Sequence, residues 1–285
     1  MIKTLKYFLE ALVVYSFFLV IKIIGLSLSR KFFALIFRCF GSVIKPNKII
    51  DKNLKYFDKE ISDLKKKEII SGMWSNYGMT FVEYIFLKKF RQEDSHIKIV
   101  GKDILKNIID KKKPVVFISG HFANFELMSM EITKAGVQLA TIYRPLNNFF
   151  LNPFMEYLRK KYVCQNQIKK GRKSMREIVN YIEKKNSIAL MIDQRLSEGE
   201  KISFFKKEAL TTTLPAQLAL KYNLDIVPIF IERKNNNSFE MVIYEALNIS
   251  NFKNKIEISN KLNEVLENMI VKKPNQWIWT HNRWK

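Results

Sequence analysis

Apolar and polar positions change period along the chain, and those changes predict its elements. Tyr7 to Leu28 (YFLEALVVYSFFLVIKIIGLSL) is mostly apolar, and as a helix it covers about 30 Å, near the thickness of a bilayer core. Glu10 and Lys22 interrupt it and leave an uncharged run of 11 residues. The segment therefore either spans with both charges near the interfaces or lies in the membrane plane with its charged face up. No small-x-small site follows at the distance a cleaved signal peptide needs. A second, aromatic and basic stretch, RKFFALIFRCF (Arg30 to Phe40), reads as a helix resting on an anionic membrane surface, with a core helix as the alternative.

Further on, Ile70, Met73 or Trp74, Tyr77, Phe81 and Ile85 recur at three-to-four spacing and predict a long helix from Asp58 to Phe90. Short apolar runs then alternate with amphipathic stretches. The runs are VVFIS (115–119), LATIY (139–143), IALMI (188–192), IVPIFI (226–231) and FEMVIY (239–244). Helical patterns lie between them, from Arg172 to Lys185 and from Thr211 to Tyr222, with Pro215 tolerable in a first turn. Unbroken apolar strands alternating with helices predict an α/β fold whose sheet is covered by helices on both faces. The polar KNNNS turn before FEMVIY predicts an antiparallel hairpin, so the sheet is mixed. Residues 1–45 read as a membrane-anchoring helical segment and 46–285 as one α/β domain.

Charge narrows the class. Forty-nine Lys and Arg against 27 acids give a net charge of +22, which implies an anionic partner: nucleic acid, acidic lipid or an acidic carrier. Hydrophobic content of 47% and aromatic content of 13% exclude a disordered basic tail. Cys39 and Cys164 are too few for a disulfide framework or a cysteine zinc site. His96, His121 and His281 are the chain's only histidines. If Tyr7 to Leu28 spans, Arg30, Lys31, Arg38, Lys45 and Lys48 after it place the main body in the cytoplasm.

The candidate chemistry lies in PVVFISGHFANFE (Pro114 to Glu126). A buried strand ends at Ser119-Gly120, His121 follows, and a helical pattern starts near Asn124. Ligands of open α/β sheets bind at the carboxyl ends of strands. On a regular helix His121 and Glu126 would sit about 140° apart. They meet only if His121 lies in the strand-to-helix turn, a turn that Gly120 would permit. A carboxylate on one imidazole nitrogen leaves the other free to take a proton, an arrangement suited to activating a substrate hydroxyl. The alternative is a histidine capping the helix and a glutamate in solvent. Metal binding is disfavoured by the distance of His96 and His281 and the lack of HExxH or CxxC spacing; a Ser119 hydrolase is disfavoured because G-x-S-x-G is absent.

Other positions fall on the same predicted edge. Arg144 ends a strand in YRP and suits an acceptor phosphate, with a structural ion pair as the alternative. Gly171-Arg172 opens a helix whose N-terminus suits another anion, or Arg172 is merely a surface residue. Asp193 and Gln194 end the strand IALMI, where a carboxylate could position Arg144 or an acceptor sugar. Asn124, inside the motif, joins Arg144, Arg172, Asp193 and Gln194 as a candidate substrate-binding residue. Trp277, Trp279, His281 and Arg283 alternate like a half-buried strand, and are read as structural or membrane-interfacial.

His-x4-Glu after a buried strand resembles the motif of the lysophospholipid acyltransferase superfamily. GHFANFE is close to the GHFGNWE-type motif of its lipid A biosynthesis (lauroyl/myristoyl) acyltransferases. YRPLNN (143–148), KKGRKSMREIVNYIEKKNSIALMIDQR (169–195), ISFFKKEALTTTLPAQLAL (202–220) and the closing PNQWIWTHNRWK follow in that family's order. Phe125 replaces the usual Trp, and FFKK (204–207) lacks the glycine usual after FF. The resemblance implies a glycerolipid-acyltransferase-like sandwich and transfer of a fatty acyl chain from acyl carrier protein to a hydroxyl of a lipid acceptor. A phosphorylated lipid A precursor of lipopolysaccharide biosynthesis is the expected acceptor, another glycolipid or lysolipid the alternative. A hydrolase using the same pair on water is the other reading. By analogy His121 is the base and Glu126 orients it. No cofactor or metal is expected, and the implied location is the bacterial inner membrane with the catalytic domain on its cytoplasmic face. A membrane-associated nucleic-acid protein would explain the charge but not the His-x4-Glu spacing, and no nucleic-acid-binding signature is present.

Overall fold

The computed structural model describes residues 2–45 and 47–285. In chain order its elements are α1 (Ile2–Ile24), α2 (Leu26–Ile44), α3 (Asn47–Phe57), α4 (Asp63–Glu83), α5 (Leu87–Gln92), β1 (Ile97–Val100), α6 (Lys102–Lys111), β2 (Val115–Ser119) and α7 (Glu126–Lys134). Then come β3 (Leu139–Tyr143), α8 (Asn152–Leu158), β4 (Asn166–Lys169), α9 (Ser174–Glu183), β5 (Ser187–Met191), β6 (Glu200–Phe204) and β7 (Lys207–Thr211). α10 (Leu214–Tyr222), β8 (Asp225–Arg233), β9 (Phe239–Ile243) and α11 (Lys255–Lys272) complete the set.

The main sheet has seven strands in the order β1-β9-β8-β2-β5-β3-β4. β8, β2, β5, β3 and β4 are mutually parallel, β9 is antiparallel to β8, and β1 is parallel to β9. The mixed sheet and the β8–β9 hairpin agree with the sequence pattern. Every residue of β2 is buried, which requires cover on both faces of the sheet's centre and explains the unbroken run VVFIS. The flanking helices supply that cover.

A short hairpin, β6–β7, stands apart from this sheet. Its two-residue turn, Phe205-Lys206, has both φ angles positive, at 50° and 57°, as a tight hairpin requires. No glycine eases that conformation; the Phe205 N–H instead donates to Glu267 Oε1 at 2.8 Å.

Gly25, with φ at 86°, breaks the apolar N-terminal stretch into α1 and α2. α2 packs along α4 so closely that a Cβ on Gly78 would lie 2.2 Å from the Phe33 carbonyl oxygen. Arg30 is therefore not at a membrane surface: it is buried, and its Nε donates to Glu83 Oε1 at 2.7 Å. Glu83 also binds Arg233 through both oxygens, so one buried carboxylate ties α2, α4 and β8 together. The opposite side of α2 exposes Phe32, Leu35 and Phe40. α1 is long and apolar enough to cross a membrane, with mean hydropathy 2.0, and buries only Ala11, Phe18 and Ile21 among its described residues. Phe18 and Ile21 dock it on Phe33 and Val82, while Leu5, Phe8, Leu9, Leu12, Leu19 and Ile23 face outward.

Candidate active site

Parallel register builds the site. Ser119 of β2 pairs with Met191 of β5, and the Ile192 N–H donates to the Ser119 carbonyl at 2.9 Å. Two residues past each strand end, His121 and Asp193 emerge side by side at the carboxyl edge. His121 Nδ1 and Asp193 Oδ1 lie 2.8 Å apart, and the His121 backbone N–H donates to Asp193 Oδ2 at 2.7 Å. Asp193 is 1% exposed, whereas the His121 side chain keeps 21% of its surface accessible. Nδ1 is thus engaged, and Nε2 makes no hydrogen bond among the described residues.

Electrostatics reinforce the pairing. Burial alone would lower the His121 pKa, but the Asp193 charge and hydrogen bond outweigh it, with help from Glu126, and raise it. Burial likewise opposes ionisation of Asp193, yet His121 and the donors on Oδ2 hold its carboxyl below the usual range.

The expectation that Glu126 orients His121 is corrected by this geometry. Glu126 opens α7 and is buried, but its Oε1 accepts from the Tyr84 hydroxyl at 2.8 Å and from Arg159 Nε at 2.7 Å. Burial and the Glu126 carboxylate push the Tyr84 pKa up. Arg159 begins a wide π turn, Arg159–Val163, directly after α8. Burial opposes its charge, but Glu126 more than compensates and raises its pKa. Glu126 reaches His121 through its field rather than by contact.

Gly120 serves a different purpose from the expected one. Its φ is not positive; what it provides is room, because a Cβ there would lie 2.8 Å from Phe122 Cε2 and 2.9 Å from Leu266 Cδ1. The left-handed residue of this turn is Ala123, with φ at 43°. Its N–H donates to the Gln276 carbonyl at 3.2 Å, and its carbonyl accepts from Asn76 Nδ2 and Thr80 Oγ1. Three bonds from outside the turn hold the conformation in place.

The other predicted site residues divide. Asn124 is 1% exposed and donates to Glu83 Oε2 at 3.0 Å, which encloses it in the buried ion cluster rather than aiming it at a substrate. Asp193 engages His121, not Arg144 or an open edge. Gln194 is half-buried immediately beyond Asp193. Arg144 is exposed and forms no ion pair among the described residues, so the structural-pair alternative fails. Tyr143 pairs with Lys169, which sets Arg144 beside Lys170 at the same edge. Burial, then the Arg144 charge, lower the Lys170 pKa. Arg172 is exposed just ahead of α9.

The C-terminal block is not a strand; it is a short 3-10 turn, Pro274–Gln276, followed by turns. Trp277 and Trp279 are fully buried, and the Trp277 indole N–H donates to Asp193 Oδ2 at 2.9 Å. His281 Nε2 accepts the Arg195 N–H at 2.8 Å, and burial lowers its pKa. Arg283 is buried against the Leu210 carbonyl and Thr211 Oγ1. Sequence reasoning missed Tyr84, Arg159 and the Trp277 contact. The one signal for their pairing was that His121 and Asp193 both lie just beyond apolar runs, VVFIS (115–119) and IALMI (188–192).

Known proteins are similar to this sequence over most of its length. The chain is 20% identical over 245 residues to the lipid A biosynthesis lauroyltransferase of Escherichia coli strain K12, covering 84% of this chain and 78% of that one. It is 23% identical over 258 residues to the lipid A biosynthesis palmitoleoyltransferase of the same organism, covering 86% and 82%. The lipid A biosynthesis acyltransferase of Shigella flexneri matches to the same extent, 23% over 258 residues. With the family described as bacterial lipid A biosynthesis acyltransferase matching residues 1–285, the chain belongs to that family.

Proposed function

We propose that this protein transfers a fatty acyl chain from acyl carrier protein to a hydroxyl of a phosphorylated lipid A precursor, using the His121–Asp193 pair. The observation that carries the reading is an accessible imidazole nitrogen whose opposite nitrogen is held by a buried carboxylate. His121 Nε2 takes the proton from the acceptor hydroxyl as its oxygen attacks the thioester carbonyl. The tetrahedral intermediate then collapses, the C–S bond breaks, and the imidazolium returns its proton to the departing thiolate. Base catalysis of this kind contributes roughly 10²–10⁴-fold. Asp193 fixes the tautomer and stabilises the imidazolium, and the more distant Glu126 charge adds to that stabilisation. The chemistry needs neither metal nor cofactor.

Arg144, Lys170 and Arg172, which form no ion pair among the described residues, carry positive charge at the same sheet edge and suit the acceptor's phosphate; Gln194 lies next to the pair and suits its sugar. The exposed apolar faces of α1 and α2, flanked by Lys3, Lys6, Lys31 and Arg38, support attachment to an anionic bilayer. We place the protein at the inner membrane with the catalytic body on the cytoplasmic face. The excess of lysine suits both that surface and an acidic carrier protein.

The test is transfer from radiolabelled acyl carrier protein to a lipid panel that includes a tetraacylated lipid A precursor, with wild type and His121→Ala compared. Label entering the precursor and lost in the variant supports the proposal. Label entering another lipid discards the acceptor, free fatty acid released without acceptor indicates a hydrolase, and activity that survives loss of His121 discards the base.

A further inference from the structure

We infer that Trp277 is a positioning residue for His121: its indole N–H, donated to Asp193 Oδ2, fixes the rotation of the carboxylate and moderates how strongly it holds the imidazole. Asp193 is buried and uses both oxygens. Oδ1 faces His121 Nδ1, while Oδ2 accepts the His121 backbone N–H at 2.7 Å and the Trp277 indole at 2.9 Å. A donor on Oδ2 draws charge away from Oδ1 and prevents the carboxylate from turning about its own bond.

The indole is itself held rigidly. It meets Trp279 edge-on, with ring centroids 4.7 Å apart at 87°. The preceding residue is clamped to the end of β8, because Gln276 Oε1 accepts the Arg233 N–H at 2.7 Å and Nε2 donates to the Arg233 carbonyl at 2.8 Å. The Gln276 carbonyl also receives the N–H of Ala123. Two successive residues, Gln276 and Trp277, therefore grip both halves of the site: the turn after His121 and the carboxylate after β5.

Without the indole donor, negative charge concentrates on the remaining oxygen and the imidazolium is held more tightly. The expected consequence is a rise in the His121 titration midpoint of roughly half to one pH unit. The other charged or titratable groups around the pair are Glu126 on α7, Arg159 after α8, Tyr77 on α4, Arg195 after β5, and His281 and Arg283 in the C-terminal turns. Replacing Trp277 alters none of them chemically.

The experiment uses the full chain in detergent micelles, with histidine and tryptophan labelled with nitrogen-15. Three histidines give three imidazole titrations, and His121→Gln assigns the relevant one. Trp277→Phe raises the His121 midpoint. Trp284→Phe, which removes a buried indole bonded to the Phe204 carbonyl instead of to Asp193, lowers stability and leaves that midpoint in place. An unmoved midpoint in Trp277→Phe, or the same shift in Trp284→Phe, overturns the inference.

Should Trp277→Phe fail to fold, the wild type decides: the Trp277 indole resonance must titrate with the His121 midpoint, and a pH-independent resonance overturns the proposal. The kinetic arm rests on His121 being the base. In that arm the acid limb of kcat moves with the imidazole midpoint and KM is unchanged. A shifted imidazole with an unshifted acid limb upholds the positioning role and discards His121 as the base.

Discussion

Asp193 lies 2.8 Å from Nδ1 of His121 although 72 positions separate them, because β2 and β5 are parallel neighbours in register and each residue follows its strand end by two. Glu126, five positions along the chain, bonds Tyr84 and Arg159 instead. Asp193→Asn is therefore expected to lower acyl transfer by roughly 10²–10⁴-fold, since an amide neither enforces the tautomer nor stabilises the imidazolium. Glu126→Gln leaves Nδ1 engaged and costs distinctly less in kcat. Steady-state kinetics of the two variants check this, and equal losses would return the orienting role to Glu126.

The raised His121 pKa has a defined sign. With His121 as the proposed base, the imidazole must be neutral to react, so kcat/KM is expected to rise with pH through a midpoint above the ordinary 6.5. Stability runs the other way: the shift contributes fully below pH 6.5 and fades as the pH climbs through the folded midpoint. Asp193, whose pKa is lowered, contributes above the ordinary carboxylate range and loses that contribution as the pH falls through its folded value. Urea unfolding of wild type and His121→Gln at several pH values should show a difference that is largest between these limits and shrinks toward alkaline pH.

Arg159 and Glu126 form a nearly buried pair, with Arg159 Nη2 2.6 Å from Glu126 Oε1. Arg159→Met leaves the carboxylate buried with only the Tyr84 hydroxyl and is expected to cost about 3–5 kcal/mol. The double variant Arg159→Met with Glu126→Gln removes the stranded charge and recovers much of that loss. Additive losses in urea unfolding would show that the two residues do not act as a pair.

Much of this architecture was legible because long apolar runs specify buried strands. VVFIS, LATIY, IALMI and IVPIFI all lie in the main sheet, and KNNNS does turn the chain into an antiparallel strand. β1 and β4, of four residues each, were not legible, because half-exposed strands that short carry almost no period. The β6–β7 hairpin was hidden by a turn made of Phe205 and Lys206 without glycine. In the site, proximity along the chain favoured Glu126 as the partner of His121, whereas sheet register selects Asp193. Sequence spacing reports on one element; contacts between strand ends depend on which strands become neighbours.

The exposed and buried sides of α1 separate two kinds of substitution. Leu12 and Leu19 are 55% and 65% exposed, whereas Phe18 is 7% exposed and stacks on Phe81 with centroids 5.1 Å apart. Leu12→Glu with Leu19→Glu is expected to weaken co-sedimentation with anionic vesicles while leaving the melting temperature almost unchanged. Phe18→Ala should do the reverse, costing about 3–5 kcal/mol in stability. Retention on vesicles by the double glutamate variant would remove α1 as the anchor.

Gly120 tests the same site through volume instead of charge. A Cβ there would sit 2.8 Å from Phe122, 2.9 Å from Leu266 and 3.3 Å from Asp193 Oδ2. Phe122 and Leu266 are completely buried, so neither can swing into solvent to make room. The strain falls instead on the strand end or on Asp193, and Gly120→Ala is expected to destabilise by about 1–3 kcal/mol. Displacement of Asp193 also disturbs His121, so activity measured well below the melting temperature should fall further than the loss of folded protein accounts for. Full specific activity in the folded fraction would show that the β2 end yields without moving the carboxylate, and that the tight packing at Gly120 serves the core alone.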